Sequence, residues 1–185
     1  MHGRTLLWAS MLLTLSCTPT GRVPQSQEQT DHPDVDMNQV WSMSDRNIRP
    51  GSFAPAVNLP QLFPGEITAS MPKGEPYVLF FWASWCEDCQ AEMPTINRLQ
   101  RSFPSLAWVT ISLDSQAPEA QQYIRSHELR GIHLFDGRDW MGSACEDYAV
   151  PLHGIPYIIY IGKDGRILWC GGSADELQKA LQHGT

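Results

Sequence analysis

Two cysteines separated by two residues, Cys86 and Cys89 in Trp85-Cys86-Glu87-Asp88-Cys89, are the side chains in this chain best placed to do chemistry. On a first helical turn this spacing lets the sulfurs close a small disulfide, so the pair can cycle between dithiol and disulfide. The same spacing supplies half of many zinc sites. Such a site needs four ligands, and no second Cys-x-x-Cys supplies the other two, so the redox reading is favoured and no metal is assigned. The pair follows Tyr77 to Trp82, a continuous apolar and aromatic run that reads as a central strand buried on both faces. Cys86 then sits where the helix Gln90 to Phe103 opens. Unpaired backbone N–H groups and the positive end of the helix dipole favour a thiolate there, and the thiolate is the reactive form.

The chain of 185 residues, 42% of them apolar, can form one domain with a sizeable core plus terminal segments. A formal net charge of −7, without clusters of Lys and Arg, excludes nucleic acid as a partner, because phosphates demand a basic surface. No nucleotide or phosphate loop is present, so no cofactor is assigned and electrons must come from another protein.

The N-terminus has the pattern of an export signal: Arg4, then the apolar stretch Leu6 to Leu15, then Ser16-Cys17 at the edge of a polar segment. The apolar stretch is too short to span a bilayer as a mature helix. Leu13-Thr14-Leu15-Ser16-Cys17 resembles a bacterial lipoprotein signal, which implies lipidation of Cys17. Thr14 and Leu15 depart from the usual leucine and small residue, so ordinary cleavage or an uncleaved anchor stay open. Residues 18–51 are rich in Gln, Ser, Thr, Pro and Asp and read as a flexible polar leash, since they bury too little to offset their chain entropy. The domain is expected over 52–185.

Within it, Ala54 to Leu59 and Ile67 to Ser70, with Pro64-Gly65 between them, suggest an N-terminal β-hairpin. After the central strand and its helix come a strand Leu106 to Leu113, a helix Pro118 to Leu129, a short strand Ile132 to Phe135 and a helix Asp139 to Ala149. Tyr157 to Ile161 and Arg166 to Cys170 form a hairpin around Asp164-Gly165. The helix Ser173 to Gln182 follows, with Ser173 and Glu176 spaced as a capping box. The order β-α-β-α-β-α-β-β-α implies a three-layer α/β sandwich with a mixed central sheet.

Phe81-Trp82-Ala83-Ser84-Trp85-Cys86-Glu87-Asp88-Cys89 resembles the active-site segment of thioredoxin-fold proteins. Ala54-Pro55, Lys73-Gly74-Glu75-Pro76, Cys89-Gln90-Ala91-Glu92-Met93-Pro94, Gly154-Ile155-Pro156 and Asp164-Gly165 as a set resemble the TlpA/ResA group of exported, membrane-tethered thiol-disulfide oxidoreductases, over residues 52 to 183. The resemblance implies a thioredoxin-like fold and a cis Pro156 against the cysteine pair, with Ile155 offering backbone to a bound substrate segment. It also implies that Cys86 is the more exposed sulfur, which attacks a substrate disulfide, and that Cys89 resolves the mixed disulfide.

Glu92 lies three residues after Cys89, on the same side of the helix as the thiols. Related proteins carry a glutamate there that is thought to handle protons. In thioredoxins a buried aspartate on the central strand does so, and Phe80 holds that position here. Pro94 removes a helical bond to Gln90 and should kink the helix. Trp82 is expected in the core and Trp85 on the rim where substrate lies. Asp88 stands where this group usually has proline, after Glu87. Both acids raise the thiol pKa by like-charge repulsion, which points to a reductant or a weak isomerase and not a strong oxidase.

Cys145 and Cys170 are expected at the active-site end, either bridged as a second disulfide or as two buried free thiols. Of the six histidines only His153 is positioned to touch substrate or metal. The leading expectation is therefore an exported thiol-disulfide oxidoreductase that reduces protein disulfides, in cytochrome c maturation as related proteins do. Its setting would be the extracytoplasmic or periplasmic side of a bacterial cell envelope, held to the membrane by a lipid anchor and supplied by a membrane-bound protein electron donor. A copper-handling protein using Cys86, Cys89 and a ligand such as His153, and an adaptor with an inert structural disulfide, are the alternatives.

Overall fold

Tyr77–Trp82 forms β1, and all six of its residues are buried. A run of aromatic and aliphatic side chains with no polar alternation can sit only where both faces of the sheet are covered. In this computed structural model residues 48–63 and 71–183 are described. The expected leader 1–17 with Cys17, most of the leash, the Pro64-Gly65 turn and the arm Ile67 to Ser70 lie outside the described residues.

From β1 the chain continues through α1 (Glu87–Ser102), β2 (Ala107–Ser112), α2 (Ala117–Ser126), β3 (Ile132–Phe135), a 3-10 turn (Asp139–Met141), α3 (Ser143–Asp147), α4 (Val150–His153), β4 (Tyr157–Ile161), β5 (Ile167–Gly171) and α5 (Ala174–His183). The sheet order is β3-β2-β1-β4-β5. β1 runs parallel to β2, and β2 to β3, whereas β4 is antiparallel to both β1 and β5. This is the mixed sheet of a thioredoxin-like α/β fold.

The layers follow from handedness. Two right-handed crossovers in the same direction put α1 and α2 on one face of the sheet. The rings of Trp82 and Tyr123, 5.0 Å apart, mark that face. Asn97 Nδ2 donates to the carbonyl of His127 and Gln100 Nε2 to that of Arg130, which ties α1 to the end of α2. Side chains alternate along a strand, so Phe81 points the other way. There it meets Tyr148, at 5.4 Å between ring centroids, under the α3–α4 layer. The Tyr148 hydroxyl in turn donates to the Pro55 carbonyl at 2.7 Å. Burial of Phe80, Phe81 and Trp82 stabilises the fold by about 1.5–3 kcal/mol per side chain.

Three local expectations are corrected. Ala54 to Leu59 is not a strand: Phe53 bridges Arg166, Gln61 bridges Leu134 with the Pro60 carbonyl accepting from the Phe135 N–H, and Ala54 to Leu59 form no ladder between these two bridges. Asp139 to Ala149 is not one helix, because Gly142 is extended and Ala149 is left-handed with φ 51°, which divides the segment into a 3-10 turn and α3 and sets α4 apart. The domain's contacts also begin before Ser52. Gly51 donates to the Ile167 carbonyl at 2.8 Å and Arg166 Nη1 donates to the Gly51 carbonyl at 2.7 Å. Helix α1 runs continuously through Pro94. Among the described residues no helix is long and apolar enough to cross a membrane.

Candidate functional site

The site forms where β1 ends. Ala83, Ser84 and Trp85 turn the chain, and Cys86 caps α1 with extended backbone (φ −83°, ψ 105°). The Gln90 N–H donates to the Cys86 carbonyl at 3.0 Å as the first helical bond. Cys86 and Cys89 are joined in a disulfide with their Cα atoms 5.2 Å apart. The Cys89 N–H, one of the helix's orphan donors, points at Cys86 Sγ from 3.0 Å. In the reduced state that donor and the helix dipole favour charge on Cys86. Cys86 is 7% exposed and Cys89 0%, so only the first sulfur can be approached from outside.

The opposite wall is the loop before β4. The Ile155–Pro156 peptide is cis, and Cys86 Sγ lies 3.6 Å from the Ile155 carbonyl oxygen. Gly154 at φ 74° takes a left-handed conformation that favours glycine. A Cβ on Gly172 would press on the Pro156 carbonyl at 3.1 Å, so glycine there lets the end of β5 approach this loop. Trp85 is 43% exposed and its ring lies 6.2 Å from that of Trp140, which extends the apolar rim beside Cys86. Trp82 is fully buried and Phe80 stacks on it at 6.5 Å, both as core residues.

Glu92 has a backbone partner that the sequence does not suggest. Its Oε2 accepts from the Ala174 N–H at 2.8 Å, so the carboxylate caps the first turn of α5 from outside that helix. The i+3 spacing does put it on the cysteines' side of α1, but the positive end of α5 lies alongside and offers unpaired N–H groups. The second disulfide is absent: Cys145 and Cys170 are free thiols. Cys145 Sγ is directed at the Asp139 carbonyl at 3.5 Å, whereas Cys170 pairs across the hairpin with Ile159. Burial, with Asp136 and Asp139 adding to it, pushes the Cys145 thiol up to about 12. Burial, then Cys170, raises Tyr157 above the usual tyrosine range.

Three of the described histidines hold local duties. His153 stacks on Tyr157 at 4.5 Å, and His127 on Tyr123 at 3.9 Å. His133 Nδ1 shares a 2.8 Å hydrogen bond with Thr110 Oγ1, and burial lowers its pKa to about 4. His127 and His133 have five residues between them, a spacing zinc sites use, yet they serve these separate partners. Among the described residues no group of three or more His, Cys, Asp and Glu is gathered as a metal site.

Sequence reasoning missed Trp140 and, more consequentially, Asp114. This aspartate is 0% exposed and grips the turn before Cys86. The Ser84 N–H donates to its two oxygens at 3.1 and 3.2 Å, and the Ser84 hydroxyl donates to Oδ1 at 2.6 Å. The one available signal is a carboxylate directly after an apolar strand, which reads as an ordinary turn residue.

A fold with a helix-capping disulfide facing a cis-proline loop defines a thioredoxin-like protein. The model of the AhpC/TSA family matches residues 50–170, and the chain belongs to that family. It is similar to the soluble secreted antigen MPT53 of Mycobacterium tuberculosis, at 28% identity over 93 residues, 50% of this chain and 51% of that one. It is also similar to the thiol-disulfide oxidoreductase ResA of Bacillus thuringiensis subsp. konkukian, at 26% over 133 residues, 70% of this chain and 73% of that one. The chain thus spans about half the length of the first of these relatives. Among solved structures, a thiol-disulfide oxidoreductase from Bacteroides fragilis superposes with a TM-score of 0.64 at 23% identity, over 71% of this chain and 98% of the other.

Proposed function

We propose that this protein is an extracytoplasmic thiol-disulfide oxidoreductase that reduces disulfides in protein substrates. The observation that carries the reading is the Cys86–Cys89 disulfide at a helix N-terminus, with Cys86 Sγ against the Ile155 carbonyl of the cis-proline loop. In the reduced state the Cys86 thiolate attacks one sulfur of a substrate disulfide. That S–S bond breaks, the substrate's other sulfur leaves as a thiolate and takes a proton, and a Cys86–substrate bond forms. Cys89 then attacks Cys86 Sγ. The second substrate thiol departs, and the intramolecular disulfide is restored. Two electrons pass from protein to substrate, and a membrane-bound protein donor returns them.

Ile155 supplies backbone to the extended substrate segment, Pro156 holds that loop against the sulfurs, and Trp85 forms the rim. Glu92, one turn after Cys89, is the proposed proton carrier for the buried thiol, through the oxygen that Ala174 does not hold. The reducing direction is favoured by Glu87 and Asp88, both exposed beside the sulfurs, since like charge disfavours a thiolate and so disfavours the reduced pair. The name of MPT53 as a secreted antigen and the Leu6 to Cys17 pattern support an extracytoplasmic setting. We assign lipidation to Cys17 and cytochrome c maturation as the pathway.

Trapping tests the whole. Cys89→Ser, expressed in the cell envelope, should accumulate a conjugate that reductant releases, and Cys86→Ser should abolish both conjugate and turnover. A Cys89→Ser protein that captures no protein, alongside a wild type unable to reduce insulin, would return the pair to a structural bridge.

A further inference from the structure

We propose that Asp114 is a positioning residue for the redox pair, which it reaches through Ser84, and that its fixed negative charge holds Cys86 toward the thiol. The inference rests on the redox reading of Cys86 and Cys89, and it concerns a carboxylate that this reading leaves without a role.

Asp114 follows β2 at the active-site end and is completely buried, which a carboxylate tolerates only with its oxygens fully engaged. Its partners are specific. Ser84 supplies both its N–H and its hydroxyl, and Ser112 donates its hydroxyl to Oδ2 at 2.6 Å. The Asp114 N–H returns to Ser112 Oγ at 3.0 Å, which fixes the carboxylate on its own strand end. From the other side, Gln90 Nε2 donates to the Ser84 carbonyl at 2.9 Å. Both polar groups of the Ser84 backbone are therefore held by side chains, one from β2's end and one from α1. The next residue is the exposed Trp85 and the one after is Cys86, whose N–H closes the turn onto the Ala83 carbonyl at 3.2 Å. This clamp sets where α1 begins and so where Cys86 Sγ meets Ile155.

The clamp also carries charge. Two residues of chain span at most about 7 Å, so the carboxylate lies within about 10 Å of Cys86. Other titratable groups around the pair are Glu87, Asp88 and Glu92 on α1, His153 on α4, and Asp136 and Asp139 beside the turn that carries Trp140. Glu87 and Asp88 are exposed and screened by solvent, and Glu92 is held by Ala174. Asp114 is the one with no exposure at all.

Charge at that distance in a partly buried setting is worth about one pH unit on the thiol. In the reduced protein, Asp114→Asn keeps the shape and removes the charge, so the midpoint for alkylation of Cys86 against pH should fall by about one unit. Ser84→Ala strips a donor that partly neutralises the carboxylate, so it should raise that midpoint. The double variant should match Asp114→Asn alone, because Ser84 acts through the charge now missing. A loosened turn by itself would not give shifts of opposite sign. Equal-sign shifts, no shift, or a double variant showing the sum of the two would overturn the proposal. If Asp114→Asn fails to fold, Ser84→Ala decides: a raised midpoint supports it and any other result overturns it. Alkylation needs no substrate, so these outcomes stand apart from whether trapping succeeds.

Discussion

Glu92 is asked to do two things, and one pair of substitutions separates them. Glu92→Ala leaves the N–H of the buried Ala174 without its acceptor. Loss of an N-terminal cap costs about 0.5–2 kcal/mol, and loss of a negative charge at the positive helix end about 0.3–1 kcal/mol more, so the variant should lose about 1–3 kcal/mol. The exposed Arg98–Asp175 ion pair across the same helices cannot make up the difference, since solvent screens it. Glu92→Gln keeps an oxygen for the Ala174 N–H and sheds only the charge, so its loss should stay within about 1 kcal/mol. Urea unfolding of the oxidised protein measures both. Insulin reduction with a chemical reductant then reads the second role: a proton carrier lost in Gln as fully as in Ala slows both variants alike, despite their different stabilities. An Ala variant within about 0.3 kcal/mol of the wild type refutes the cap. A Gln variant with wild-type turnover refutes the proton role.

Two other outcomes follow from the buried groups. His133 stays neutral in the folded protein down to about pH 4, while the unfolded chain takes up its proton near 6.5. The unfolded state therefore binds more protons between those values, and stability should be lost as pH falls from 6.5 to 4, by up to about 3 kcal/mol. His133→Gln should flatten that part of a pH-dependent unfolding curve, and an unchanged curve would refute the assignment. With Cys145 raised to about 12, iodoacetamide at pH 8 should modify Cys86 in the reduced folded protein and reach Cys145 only on unfolding, as peptide mass mapping would record. Rapid modification of Cys145 in the folded state would contradict its burial.

What could be read in advance was what local sequence determines. The unbroken apolar run of β1, the Cys-x-x-Cys step into α1 and the Asp164-Gly165 hairpin each impose their structure within a few residues, and each stands where expected. What could not be read depends on partners distant in sequence. Asp114 looks like a turn residue until β2 is laid beside β1, which brings it to Ser84 thirty residues earlier. Glu92 reads only as a neighbour of the sulfurs until α5 packs beside α1 and brings the Ala174 N–H to its carboxylate. The pairing of Cys145 with Cys170 was plausible at the level of which end of the sheet each occupies, but sharing an end does not fix the direction of a side chain. The segment Asp139 to Ala149 carried its own warning in Gly142, whose extended backbone interrupts the helical periodicity.

The first described residues dock on Arg166 and Ile167, where β5 begins. The Cys86–Cys89 disulfide and Gly172 lie past the opposite end of that strand, beside Pro156. The residues from Ile48 to Phe53 are thus fastened a full strand length behind the sulfurs. Those residues therefore leave the approach to Cys86 to the cis-proline loop and the Trp85 ring alone.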